Sequence, residues 1–259
     1  FSRGLQYQAS YTWSHAIDNQ SDVFEGVPTD PRTGAFALAS FTRQFDARVD
    51  RGNANFDQRH NLVFNAIWDL PKPPVRAAWV NHLLGYWTVS LIGAYRSGFP
   101  VTVIANSFLA DAATGLLNNR LDFAGAPGQS YNLSHPTPVP GGAQWLDPSL
   151  FQPAVGHVGN VGRGAIRGPG FWNYDLALLH DITVSEGKRL QFRVEFYNVF
   201  NHANLSAPVT TYLCDPFLGV VNPDFGKAYY GLNRTHSRFG DLPLENPSRR
   251  IQLGLRIKF

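Results

Sequence analysis

The chain of 259 residues carries a net charge of only +3, with 44% hydrophobic, 14% aromatic and 16% charged residues, against about 25% charged in ordinary soluble domains. Its basic residues are interspersed with acids and form no stripe, which argues against nucleic-acid binding, and the single Cys214 excludes an internal disulfide framework or a cysteine-based metal cluster. No run approaches the ~18 apolar residues of a spanning helix and no charged-then-apolar signal segment opens the chain, so a membrane location implies strands. The absence of methionine raises the expectation of a fragment or a processed piece.

In chain order, Leu5, Tyr7, Ala9, Tyr11 and Trp13 alternate with Gln6, Gln8, Ser10, Thr12 and Ser14, the period of two that a strand imposes. A second strand is expected from Leu62 to Leu70, with Leu62, Phe64, Ala66, Trp68 and Leu70 on one face. A third runs from Trp87 to Tyr95, where Trp87, Val89, Leu91 and Tyr95 share a face. Between them one short helix, Ala77 to Leu84, is closed by Gly85. The stretch from Ala124 to Gly170 reads as Gly- and Pro-rich loop. Trp172, Tyr174, Leu176 and Leu178 then mark a fourth strand, and Leu190, Phe192, Val194 and Phe196 a fifth. In the sixth, Ile251, Leu253, Leu255, Ile257 and Phe259 alternate strictly with Arg250, Gln252, Gly254, Arg256 and Lys258. Each strand is near the ~9–11 residues of a tilted transmembrane strand.

Long connections follow the first, third and fifth strands and short ones the second and fourth, the latter a Ser185-Glu186-Gly187 turn. Such a segregation of long from short connections is expected of outer-membrane barrels, whose periplasmic turns are short and extracellular loops long. Tracing the chain back from a periplasmic Phe259 places Trp68 and Trp87 at the periplasmic rim and Trp13 and Trp172 at the extracellular rim, the two aromatic girdles of a barrel. The fold expected is therefore all-β, an antiparallel transmembrane β-barrel fragment of about six strands of a larger barrel, located in the cell outer membrane and facing its lipid.

Several segments resemble the large Oar-like TonB-dependent receptors. They are Tyr11-Thr12-Trp13-Ser14, Asn53-Ala54-Asn55-Phe56-Asp57-Gln58-Arg59-His60-Asn61 leading into Trp68-Asp69-Leu70-Pro71, and Ser97-Gly98-Phe99-Pro100-Val101-Thr102. Further along come Phe196-Tyr197-Asn198-Val199-Phe200-Asn201-His202 and the closing run Arg249 to Phe259. The resemblance implies that residues 1–259 are the C-terminal part of a plugged barrel of about 22 strands, the plug domain and signal peptide lying outside this chain. It also implies partners: the plug and remaining strands, a TonB energy-coupling protein, and the barrel-assembly machinery, for which the terminal Phe259 resembles the assembly signal. The expected role is capture and uptake of a solute.

No catalytic or cofactor site emerges. Asp46, Asp50, Asp57, Arg59 and His60 cluster in sequence, but their spacing fits no metal signature, and hydrogen bonding at a strand entrance is the simpler reading. Asp18 and Asp22 offer oxygen ligands without the spacing of a calcium loop. The candidates for a lumen-facing surface are Arg96, Asp175, Arg193, Glu195, Arg250, Gln252, Arg256 and Lys258. The rival reading is a secreted all-β carbohydrate-binding or glycoside-hydrolysing domain, which would need two carboxyls at a defined separation.

Overall fold

The computed structural model describes residues 4–21, 27–30, 35–37, 46–71, 80, 85–105, 119–185, 188–215, 217–230 and 248–258. Six long strands form one antiparallel sheet: β1 (Leu5–Trp13), β2 (His60–Asp69), β3 (Trp87–Arg96), β4 (Phe171–Ser185), β5 (Lys188–Tyr197) and β6 (Arg250–Lys258). They lie side by side in chain order, each paired to the next. Among the described residues, β1 pairs only with β2 and β6 only with β5, which leaves an edge open on each side. The helix expected over Ala77 to Leu84 lies, Val80 apart, outside the described residues, as do Glu186, Gly187 and Phe259.

Register turns six separate alternations into one surface. Tyr11 stands opposite Leu62, Leu62 opposite Tyr95 and Tyr95 opposite Trp172. Nearer the middle, Ala66 meets Leu91, Leu91 meets Leu176, Leu176 meets Phe196 and Phe196 meets Ile251. Because a one-residue slip would move every side chain to the opposite face, this pairing gathers the alternating apolar residues of all six strands on one side; the other carries Gln8, Asn65, Asp175, Arg193 and Arg256 together with Val63, Ile67, Ile92 and Leu179. β4 runs on to Ser185, further than the alternation through Leu178 suggests, because Leu178-Leu179-His180 blurs the period while the ladder to β5 continues.

A single sheet has no interior, and its apolar face is accordingly open: Leu253 and Leu255 are 67% and 65% exposed. The buried core lies beyond the sheet, among the described residues of the connections between β3 and β4 and between β5 and β6. There Val101, Val103, Leu121, Leu146, Phe151, Val161, Ile166 and Phe225 pack together. Phe225 sits at its centre, edge-on to Phe151 at 5.5 Å and to Tyr212 at 5.0 Å, and burying such rings stabilises by roughly 1.5–3 kcal/mol each.

The expectation of Gly- and Pro-rich loop from Ala124 to Gly170 is corrected here. Strands Asn132–Val139 and Gly142–Leu146 pair with Lys227–Tyr229 in a three-stranded sheet, and Phe151–Pro153 pairs with Leu121–Phe123. Gly and Pro cut these elements too short to show a period, and their partners lie far away in sequence.

Candidate functional site

Three of the segments that suggested a family, residues 11–14, 53–61 and 97–102, meet in space at the long-connection end of β1–β4. Asp57 is the hub, its side chain fully buried. The Ala16 N–H donates to its Oδ1 at 2.7 Å, Arg59 Nε donates to Oδ2 at 2.9 Å, and Arg167 Nη2 closes on the same oxygen. Burial alone would push the Asp57 carboxyl up, but the Ala16 amide and the Arg167 and Arg59 guanidiniums outweigh it and hold the group below the ordinary carboxylate range. Arg167 also donates to the carbonyl oxygens of Asp57 at 2.7 Å and of Gly98 at 3.2 Å.

Arg167 reaches Asp57 because Ile166–Arg167 pairs with Pro100–Val101 as a short ladder. That approach needs Gly98, where a Cβ would stand 1.9 Å from the Gly168 carbonyl oxygen. The neighbouring contacts extend the clamp: Arg163 bonds Asp18 at 2.5 Å, Arg120 bonds Asp50 at 2.9 Å, and Asn53 donates to the Gly164 carbonyl at 2.8 Å. His60 Nδ1 and the Tyr11 hydroxyl are hydrogen-bonded at 2.8 Å. Among the sequence candidates, Asp50, Asp57 and Asp18 thus each engage an arginine, and Asp46 accepts from the Arg48 amide at 3.2 Å. Asp22 lies outside the described residues. Among the described residues no three His, Cys, Asp or Glu side chains converge as metal ligands.

The arginines Arg120, Arg163 and Arg167 carry this clamp and escaped sequence reasoning. The signal was the run Gly162-Arg163-Gly164-Ala165-Ile166-Arg167-Gly168, arginines framed by residues small enough for close backbone approach.

A second structured corner follows β5. Asn198 and Asn201 both adopt φ of +52°, a conformation asparagine tolerates better than most residues. Asn198 donates its amide N–H to Asp175 Oδ1 at 2.8 Å and brackets His202 with both side-chain ends. His202 then lies flat on Trp172, ring centroids 3.8 Å apart, and its burial lowers its pKa.

The polar face of the sheet holds the lumen candidates. Arg96, Asp175, Arg193, Glu195, Arg250, Gln252 and Arg256 all fall on it by register; Lys258 pairs with Arg189 in the same ladder, its side chain lying outside the described residues. The structure does not bring them into one cluster: Arg193 pairs with Glu195 at 2.5 Å, Asp175 accepts from Asn173 and Asn198, and Arg96 stands at the long-connection end over the Phe171 ring, 5.9 Å from its centroid. Trp13 and Trp172 fall at the long-connection end and Trp68 and Trp87 at the other, and Trp87 stacks on His180 at 4.6 Å.

A sheet with one continuous apolar face, one charged face and rings at both ends of its strands is the wall of a membrane barrel. The family profile described as Outer membrane beta barrel domain matches residues 1–252. The chain belongs to that family and is a protein of the outer membrane. No curated protein and no solved structure matches it.

Proposed function

We infer that this chain is a wall segment of a TonB-dependent outer-membrane receptor, which captures a solute at the outer mouth and admits it, and that it performs no bond-making chemistry. The observation that supports this reading most is the shared register: one apolar face runs across all six strands, and Asp175, Arg193, Glu195, Arg250 and Arg256 stand on the other. In this orientation the apolar face meets lipid and the charged face lines the lumen. The folded connections stand outside the cell and the short turns in the periplasm.

The meeting of three of the receptor-like segments around the Asp57 clamp supports the narrower family, since it gives those residues a shared role in holding the outer loops to the rim. The rival reading, a secreted domain, is disfavoured by membership in an outer-membrane family.

The test compares solute depletion from a defined medium by cells with and without the full-length gene, each with and without a protonophore. A receptor of this class removes at least one solute in a gene-dependent and protonophore-sensitive way. Gene-dependent depletion that survives the protonophore would identify a passive pore, and accumulation of a hydrolysis product outside the cell would identify an enzyme.

A further inference from the structure

At the outer end of the polar face, Thr12 stands opposite Asn61, Asn61 opposite Arg96, and Arg96 opposite Phe171. Adjacent strands lie ~4.8 Å apart, so a hydroxyl, an amide, a guanidinium and an aromatic ring stand in one row across β1–β4. Two atoms of the row are shielded from solvent without a hydrogen-bond partner, Asn61 Oδ1 and Arg96 Nε. Arg96 has no carboxylate partner among the described residues, whereas Arg193 has Glu195 beside it and the carboxylates of Asp69, Asp175 and Asp181 accept hydrogen bonds from within the sheet.

A shielded guanidinium Nε with no acceptor is costly to leave unmet. Arg96 is held in place by its position in an interior strand and by the Phe171 ring against it. A planar fork of donors fits one ligand group best, a carboxylate bound through both oxygens. The side chains flanking it suit the remainder of such a ligand: the Thr12 hydroxyl and Asn61 amide for polar groups, the Phe171 ring for an apolar face.

Resting on the assignment of this face to the lumen, we propose that the Thr12–Asn61–Arg96–Phe171 row is a binding subsite for a carboxylate-bearing solute at the outer mouth of the barrel. Two sources supply that chemistry, a uronic-acid sugar and the free C-terminus of a peptide. The row sits one step inside the Asp57 clamp, since Asn61 follows His60, whose amide donates to Ser97 Oγ at 3.0 Å, and Ser97 follows Arg96.

The experiment uses the full-length receptor purified in detergent, with Cys214 replaced by serine to remove the exposed native thiol. Calorimetric titration compares digalacturonate with neutral digalactose, and Gly-Gly-Phe with its C-terminal amide. The acid member of at least one pair binds more tightly, and which pair responds identifies the source. Arg96→Gln weakens that acid probe about ten- to a hundredfold, as loss of a charge-assisted contact requires, while leaving the neutral partner unchanged; Arg96→Lys restores only part of the difference. Thr12→Val, at an exposed position of β1, gives a smaller selective loss and guards against misfolding of the Arg96 variants. Equal affinity within both pairs, no binding of either acid, or an acid preference that survives Arg96→Gln in folded receptor overturns the proposal. Maleimide labelling of Ser10→Cys and Tyr11→Cys tests the underlying assignment separately. If a water-soluble reagent labels Ser10→Cys no faster than Tyr11→Cys, the lumen assignment itself is wrong; if it labels Ser10→Cys faster and the acids still show no preference, only the carboxylate subsite falls.

Discussion

Phe64 and Tyr174 belong to strands that never touch, yet their rings meet 5.7 Å apart across Gly93 of the strand between them. A Cβ at Gly93 would stand 2.4 Å from the Phe64 ring, so the glycine is the space the two rings fill, a device that covers a bare backbone with aromatic surface. Gly93→Val is expected to destabilise the barrel by about 1–3 kcal/mol through overpacking. Urea titration of the heat-modifiable barrel in detergent measures it; a midpoint equal to wild type would show that the rings part without cost.

Asp57→Asn removes the charge that holds Arg59 and Arg167. The expected loss is about 3 kcal/mol of loop anchoring, at the lower end for a buried pair because both guanidiniums retain some solvent contact. The sheet itself should persist. Limited proteolysis should cut residues 97–170 faster in the variant while the membrane-embedded strands remain protected.

The same carboxylate predicts a pH dependence. Its folded pKa lies below its unfolded one, so its stabilising contribution is complete above the unfolded carboxylate range and disappears as the pH falls through the depressed folded pKa. Loop proteolysis by an acid-active protease should rise across that acidic window in wild type and be high throughout in Asp57→Asn. A wild-type profile without such a rise would remove Asp57 as the anchor.

Leu253 and Gln252 are neighbours on opposite faces of β6, with Leu253 opposite Val194 and Gln252 opposite Glu195. Leu253→Arg should cost about 2–4 kcal/mol against lipid near the bilayer midplane, and Ile257→Arg, nearer the rim, about 0–1 kcal/mol. Gln252→Arg should leave assembly nearly intact. The amount of heat-modifiable barrel in outer-membrane fractions ranks the three; equal loss for Gln252→Arg and Leu253→Arg would reverse the assigned faces.

Cys214 lies exposed on the hairpin formed by Leu213–Asp215 and Val220–Val221, beyond the long-connection end of β5. A membrane-impermeant maleimide should label it on intact cells. Ser185→Cys, placed in a Cys214→Ser background at the short-turn end, should react only after the outer membrane is opened. Labelling in the opposite order would invert the topology.

The six sheet strands were legible because each carries a stretch of period two, complete in Leu5–Trp13 and Ile251–Ile257 and ending at Leu178 in β4. Their faces were legible too, since antiparallel register leaves no freedom once both members of a pair alternate. The folded region between β3 and β4 was not, because its core joins Val101 and Leu121 to Phe225, residues brought together by topology and without local period. Asp57 was singled out only as part of a generic strand entrance; its arginine partner lies 110 residues away, and separations of that size leave no trace in one sequence. Arg96 drew attention simply as a charge on the polar face, while its want of an acceptor became visible once its neighbours were placed.

The core of Val103, Leu121, Phe151, Val161 and Phe225 gives the outer connections a fixed interior, and this changes what an immune system or a bacteriophage meets on the cell. Surface loops without such a core display short contiguous peptides, whereas here neighbours at the surface, such as His157 on Asp122 at 2.8 Å, come from stretches joined only by folding. Antibodies raised against the intact protein should therefore recognise discontinuous epitopes lost on boiling. A phage using this surface as its receptor should be escaped by substitutions inside the core as readily as by changes at the contact itself.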